Sequence, residues 1–223
     1  MHNKISRRDA LVLLGAASAL AAGEMLAENT AQAAKPEPSI PQEFPANPWW
    51  KPTKMDAMTA IRTRRSVRAF TGEDVTDEQV KEMLGAAMSA PSAGNEQPWA
   101  FVVVRDREIL NKVPSINKFA GFIQKAALAI MVCGDLTLDA HHGYWIEDVS
   151  AASQNLLLAA HALGLGAVWT GVHPAEDREK GYRQLLGLPD NIVPLSFIII
   201  GHPAKTPAPE NRYQEARIHL NRW

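Results

Sequence analysis

Apolar residues recur along this chain with two periods, and the two periods mark out its elements. Val80, Met83, Leu84, Ala87 and Met88 fall at i, i+3, i+4, i+7 and i+8, the spacing of a single helical stripe. Thr76-Asp77-Glu78-Gln79 precedes that stripe and has the S/T-x-x-E/Q form of a capping box, so a helix begins there. Pro91 is expected to stop it. Met55, Met58, Thr59 and Ile61 predict an earlier helix running to about Arg64. Ile146, Val149, Ala152, Leu156, Ala160 and Leu163 predict the longest helix, from Tyr144 to Leu163, which Gly164 and Gly166 end. Shorter helices are marked by Ile109, Leu110 and Val113, and by Tyr182, Leu185 and Leu186. Four apolar runs have strand length: Trp99–Val104, Ala127–Cys133, Ala167–Val172 and Leu195–Ile200. This alternation predicts a layered α+β or α/β domain and leaves the order of the sheet open.

The N-terminus follows another rule. Ser6-Arg7-Arg8-Asp9-Ala10-Leu11 opens a basic segment, and an apolar run without a polar face extends from Ala10 to Ala22. That run is shorter than the ~20 residues needed to span a bilayer. It matches the apolar centre of an export signal, with Ala31-Gln32-Ala33 as a small-x-small cleavage site. The paired arginines resemble the twin-arginine signal, with Ala10 standing where that signal usually carries Phe. A retained signal acting as a membrane anchor is the main rival, ahead of an amphipathic helix of the mature fold. The expected organisation is a signal peptide over 1–33, a Pro-rich leader over 34–53 and one domain with a C-terminal arm over 54–223. The leader's prolines block helix and sheet alike. Export would make the protein periplasmic.

Composition narrows the function classes. The chain of 223 residues is 46% hydrophobic and 21% charged, with 23 basic against 24 acidic residues and a net charge of −1. Nothing in that balance points to nucleic acid or an anionic membrane as partner. Cys133 is the single cysteine, so the chain can form neither an internal disulfide nor a metal site with two of its own thiolates.

Candidate chemistry is concentrated in two stretches. Arg62, Arg64, Arg65 and Arg68 cluster where the first helix ends. They could complement the negative end of the helix dipole, or clamp a phosphate with Ser66 adding a hydroxyl. No G-x-G-x-x-G follows a strand and no P-loop pattern occurs, so a single phosphate on a smaller cofactor fits better than a dinucleotide. The loop Pro91–Trp99 carries Ser92, Asn95 and Gln97 around Gly94. It reads either as a solvated connection or as a rigid set of groups for a heterocycle edge.

Together, Arg64-Arg65-Ser66-Val67-Arg68-Ala69-Phe70 and Ala90-Pro91-Ser92-Ala93-Gly94-Asn95-Glu96-Gln97-Pro98-Trp99 resemble the FMN-dependent nitroreductase family. The likeness continues through Ser150–Leu156, Gly164–Trp169, Ile200-Gly201-His202-Pro203 and the tail from Arg212 to Trp223. The resemblance implies an α+β fold with a central mixed or antiparallel sheet flanked by helices, and a homodimer of domain-swapped type. It implies FMN as cofactor, with Arg64, Arg65, Ser66 and Arg68 holding the phosphate, ribityl chain and pyrimidine edge. Pro91, Ser92 and Ala93 would cover the ring from the second subunit, and Asn95 would reach it. Trp169, Thr170, Gly171 and Val172 would lie beside the N5 edge, and Arg212 would complete the phosphate site. Glu210 stands where several members carry a phosphate-binding lysine, so the arginines near residue 65 must do more. The implied activity is oxidoreduction in two half-reactions, in which a donor leaves before a flat, electron-poor small molecule such as a nitroaromatic or quinone enters. NAD(P)H is the donor of most relatives; a periplasmic member would call instead for a membrane quinol or a redox protein. Reductive dehalogenation, flavin modification and a non-catalytic flavin carrier are the alternatives. No catalytic side chain and no metal ligand is expected; His141-His142 lacks convergent partners, Cys133 reads as a buried inert thiol and His161 as a hydrogen-bonded core histidine.

Overall fold

The computed structural model describes residues 53–223. The expected signal peptide, and all but the last residue of the expected leader, lie outside the described residues. Among the described residues five helices and four strands follow one another: α1 (Ala57–Thr63), α2 (Asp77–Met88), β1 (Trp99–Val104), α3 (Arg107–Ile116), β2 (Leu128–Asp135), α4 (Trp145–Ala162), β3 (Gly166–Gly171), α5 (Glu176–Leu186) and β4 (Ile192–Gly201). Short 3-10 turns occupy Ala93–Asn95, Lys118–Lys125 and Glu215–Arg217.

The predicted capping box forms in full. Thr76 Oγ1 accepts from the Gln79 amide at 3.2 Å, and Gln79 Oε1 accepts from the Thr76 amide at 3.0 Å. Two donors left over by the first turn of α2 are thereby satisfied, a gain of about 1 kcal/mol. The helix stops at Met88, before Pro91 is reached, and Ser89 Oγ donates back to the Gly85 carbonyl at 2.8 Å. At the other predicted terminus, Gly164 turns the chain out of α4 with a φ of +78°, a conformation that glycine adopts without a Cβ clash.

The strands form one sheet in the order β1-β2-β4-β3, and every neighbouring pair is antiparallel. Strand β2 is buried on both faces, which is why it reads as an unbroken apolar run. Leu128, Ile130 and Val132 face one core with α2 and α4; Ala129, Met131 and Cys133 face a second core with α3, α5 and the Lys118–Lys125 turn. The sheet is the middle of three layers. Strand β4 begins at Ile192, earlier than its apolar run suggests, because Pro194 is tolerated opposite Cys133, where the register slips. A bulge removes the need for the amide that proline lacks.

The segment after α1 extends this sheet. Ser66 pairs with Ala167 as an isolated parallel bridge, and the Val67 amide donates to the Ala167 carbonyl at 3.0 Å. Gly166 makes this approach feasible: a Cβ there would stand 2.6 Å from Val67 Cγ1 and 2.9 Å from Val67 Cβ. The arginine cluster is thus laid against the open edge of β3.

Candidate active site

Edge strand β3 organises the site. The Ala167 carbonyl points away from β4, toward Val67, and the Gly171 carbonyl points away too, toward Arg178. By strand alternation Trp169 shares that outer edge. Val172 faces the other way: its amide donates to Leu195 O at 3.1 Å and its side chain is buried in the second core. A cavity of about 540 Å³ opens along the edge, lined by Arg68, Asn117, Phe119, Phe122, Val168, Trp169, Thr170, Gly171 and Arg178. Of the residues expected beside a cofactor ring, Arg68, Trp169, Thr170 and Gly171 therefore meet, and Val172 lies outside. Thr170 contributes backbone only, since its buried hydroxyl donates to Phe197 O at 2.6 Å. The Arg68 guanidinium has no hydrogen-bond or ion-pair partner among the described residues, an unpaired cation at the cavity wall.

The other arginines divide between two tasks. Arg65 is a structural anchor. Its Nε donates to Ala208 O at 3.1 Å, its Nη1 to Arg62 O and Arg64 O at 3.2 and 2.8 Å, and its Nη2 to Glu210 O at 3.2 Å. Four donations to backbone carbonyls leave little of that fork for a phosphate, so Arg65 fastens the C-terminal arm. Arg64 is the reverse case: half-buried, with a buried Nε that has no acceptor among the described residues. Burial, then the positive fields of Arg65 and Arg212, pulls its pKa below the ordinary value. The Glu210 carboxylate stands 3.6 Å from Arg212 in an exposed ion pair. Converging guanidiniums with an orphaned donor are the chemistry of an anion site. His161 adds no further charge: Thr63 Oγ1 lies 2.8 Å from its Nε2, and burial with Arg64 and Arg65 lowers its pKa. Ser66 stands between Arg64 and Arg68 with its hydroxyl unpartnered among the described residues.

Pro91, Ser92, Ala93 and Asn95 do not line the cavity of their own chain. Ser92 Oγ accepts from the Gln97 amide at 3.0 Å, Asn95 Oδ1 accepts from Gln97 Nε2 at 3.0 Å, and the Ala93 amide donates to Asp148 Oδ1 at 3.0 Å. Asn95 and Gln97 hold φ values of +59° and +52°, uncommon for residues with a Cβ. The loop is fixed by its own bonds and presented elsewhere on the surface of the chain.

Several lining residues carry no role in the sequence reading. Phe119 and Phe122 sit in a segment that identifies no ligand from sequence. Arg178 lies within Glu176-Asp177-Arg178-Glu179-Lys180, a run that reads as a solvated helix face. Asn117, buried, caps the Lys118–Lys125 turn through Oδ1 to the Phe119 amide at 3.1 Å. Its Nδ2 and the Tyr182 hydroxyl are both buried without a well-formed hydrogen bond among the described residues. Burial pushes the Tyr182 phenol well above its ordinary range, against the opposing pull of Asn117, Thr170 and Arg178. Cys133 is buried and burial pushes its thiol up to about 12, which leaves it unreactive near neutral pH. His141 pairs with Glu96 on the surface.

Comparison with known proteins agrees with this geometry. The nitroreductase family model matches residues 61–130 and 115–202. A protein of Methanothermobacter thermautotrophicus described as NADH dehydrogenase/NAD(P)H nitroreductase is 47% identical over 173 residues, covering 78% of this chain and 91% of the relative. A crystal structure from Parabacteroides distasonis with the same description superposes with a TM-score of 0.72 at 42% identity, over 74% of this chain and 98% of that one. A nitroreductase from Desulfovibrio desulfuricans, solved in complex with FMN, superposes with a TM-score of 0.66 at 33% identity, over 76% and 98%. The family match, the identity to these relatives and the shared fold show that this chain belongs to the nitroreductase family.

Proposed function

We propose that the chain is an FMN-dependent oxidoreductase that reduces flat, electron-poor small molecules such as nitroaromatics or quinones. The observation that carries this reading is the junction of two features on one strand edge: an arginine group in which Arg64 keeps a buried donor without an acceptor among the described residues, and a cavity walled by aromatic rings. The relative solved with FMN supports the cofactor. The residues present suit a phosphorylated flavin, because the buried Nε of Arg64 has no acceptor among the described residues and Arg212 adds its positive field beside it.

Arg64 and Arg212, with the free hydroxyl of Ser66, would hold the phosphate; Arg65 secures the arm that brings Arg212. Arg68 would place positive charge beside the ring, where the outward amides of Trp169 and Gly171 can also donate. FMN when bound supplies a ring that takes up two electrons and releases them to an acceptor. Phe119, Phe122 and Trp169 offer apolar faces against which a flat molecule stacks and from which water is displaced. Donor and acceptor use the same cavity in turn. The loop Pro91–Asn95 of a second copy would close the site, which makes the working unit a homodimer.

The protein as purified is therefore expected to be yellow, with about one FMN per chain. Each arginine contact with the cofactor is a charge-assisted bond worth roughly 1.5–3 kcal/mol, so Arg64→Ala with Arg68→Ala should strip the flavin. Wild-type flavin content in that double variant sinks the assignment.

The N-terminal signal implies a periplasmic protein, exported folded with its cofactor by the twin-arginine route. A periplasm does not supply NAD(P)H, so the physiological donor is a membrane quinol or a redox protein, and reduction by NADH is a residual trait. Replacement of Arg7 and Arg8 by lysine should trap the protein in the cytoplasm on cell fractionation. A wild-type protein found in the cytoplasm and reduced by NADH as fast as it turns over would remove this part of the proposal.

A further inference from the structure

Resting on the oxidoreductase reading above, we propose that Arg178 selects acceptors that carry an anionic group, a carboxylate or sulfonate, on the flat ring. Arg178 stands in the first turn of α5, one turn before the buried Tyr182, whose ring packs on Phe197 at a centroid distance of 4.9 Å. That packing fixes the helix. The contact between α3 and α5 fixes it again, because Gly181 sits so close to Ile116 that a Cβ would come within 2.6 Å of Ile116 Cγ2. The guanidinium is therefore carried on a rigid support.

Its own contacts aim it. Nη1 donates to the Gly171 carbonyl at 2.9 Å, at the end of the β3 edge, and the guanidinium lies 5.4 Å from the centroid of Phe119. Nε and Nη2 have no partner among the described residues. Arg178 lines the main cavity and also a second one of about 480 Å³, bounded by Ser115, Ile116, Lys118, Ala175, Glu176 and Asp177. It stands where the two meet. The second cavity is mixed in charge, with Glu176 and Asp177 against Lys118. The main cavity is not: among the described residues that line it, only Arg68 and Arg178 are charged. A planar acceptor lying against Trp169, Phe122 and Phe119 would meet the free edge of the Arg178 fork at its rim. Two parallel N–H donors recognise two oxygens of one anion and gain nothing from a hydroxymethyl group in the same place.

A matched pair of acceptors tests this. Binding of 4-nitrobenzoate and of 4-nitrobenzyl alcohol to the purified FMN-loaded protein is measured by calorimetry, and KM and kcat are measured for each with NADH as donor. The expected result is a preference for the benzoate of about tenfold, corresponding to about 1.4 kcal/mol. Arg178→Gln should abolish the preference by weakening the benzoate alone, in KM and not in kcat. Arg178→Lys should keep part of it, and that variant with the wild-type pair decides the matter if the glutamine variant does not fold. Equal binding of the pair by the wild type overturns the proposal. So does an equal loss for both ligands in Arg178→Gln, which would mean that the residue only supports Phe119. A rise confined to the KM for NADH also overturns it, since the anion would then be the donor's diphosphate. Calorimetry reads the preference without turnover, so failure of the oxidoreductase reading shows separately, as the absence of any reduction of the neutral acceptor.

Discussion

Neighbouring arginines in one motif do different work according to the acceptors that the fold brings to them. Arg65 donates to four backbone carbonyls, two of them far along the chain at Ala208 and Glu210. Arg64, next to it, has a buried donor with none. Arg65→Ala should therefore act on the arm first and on the cofactor second. Hydrogen exchange of residues 205–212 should rise at least tenfold while Tm falls by only a few degrees, since the anchored backbone is exposed and leaves the core intact. Flavin affinity should fall less than in Arg64→Ala, because Arg212 is loosened and not removed. Unchanged exchange in the arm would show that Arg65 is no anchor. His161 belongs to the same neighbourhood, and its lowered pKa means that the fold prefers the neutral ring, so acid protonation below its ordinary range opposes folding.

Among the elements, β3 carries the heaviest demands, because it pairs with β4 on one side and receives the 64–68 segment on the other. Gly166 is the point at which both demands meet. Gly166→Ala would set a methyl against Val67, which must shift for the segment to stay docked. A destabilisation of about 1–3 kcal/mol is expected, the range of an overpacked site, together with weakened flavin binding, since Arg64 and Arg68 ride on that segment. Urea unfolding and flavin titration measure the two effects; a variant with wild-type stability and full flavin would mean that the segment docks independently of β3. The loop after α2 shows the opposite arrangement, an irregular element held by its own side chains and by Asp148. Its rigidity suits a part that serves a site it does not itself complete.

On the scale of the whole molecule, the arm beyond Pro203 leaves Tyr213, Ile218, Leu220 and Trp223 exposed, Trp223 at 98%. A run of large apolar side chains on an extended segment calls for a surface to cover. A second copy of the chain is the expected partner, and the same copy would bring Pro91–Asn95 to the cavity. Sedimentation should show a dimer that persists at nanomolar concentration, and removal of residues 211–223 should produce monomers that have lost flavin. A wild-type monomer with flavin bound would mean that one chain builds the site alone.

Much of this was legible in the sequence because helices, strands and caps are governed by residues a few positions apart. The Thr76–Gln79 box, the α4 stripe and the four apolar runs follow from backbone periodicity, and the observed elements match them to within a few residues. The arginine motif stands out by its density of guanidiniums, open to two readings, and the Trp169–Gly171 stretch only through the family resemblance. Only the tertiary structure decided that Arg65 would meet Ala208 and Glu210, that Val172 would turn from the cavity, and that Arg178 and Arg68 would line the same cavity. A charge-rich helical turn looks solvated from sequence alone. Its role changes when a strand edge ends within hydrogen-bonding distance, and that distance is set by how α5 packs on the sheet through Tyr182, over contacts that no local period encodes.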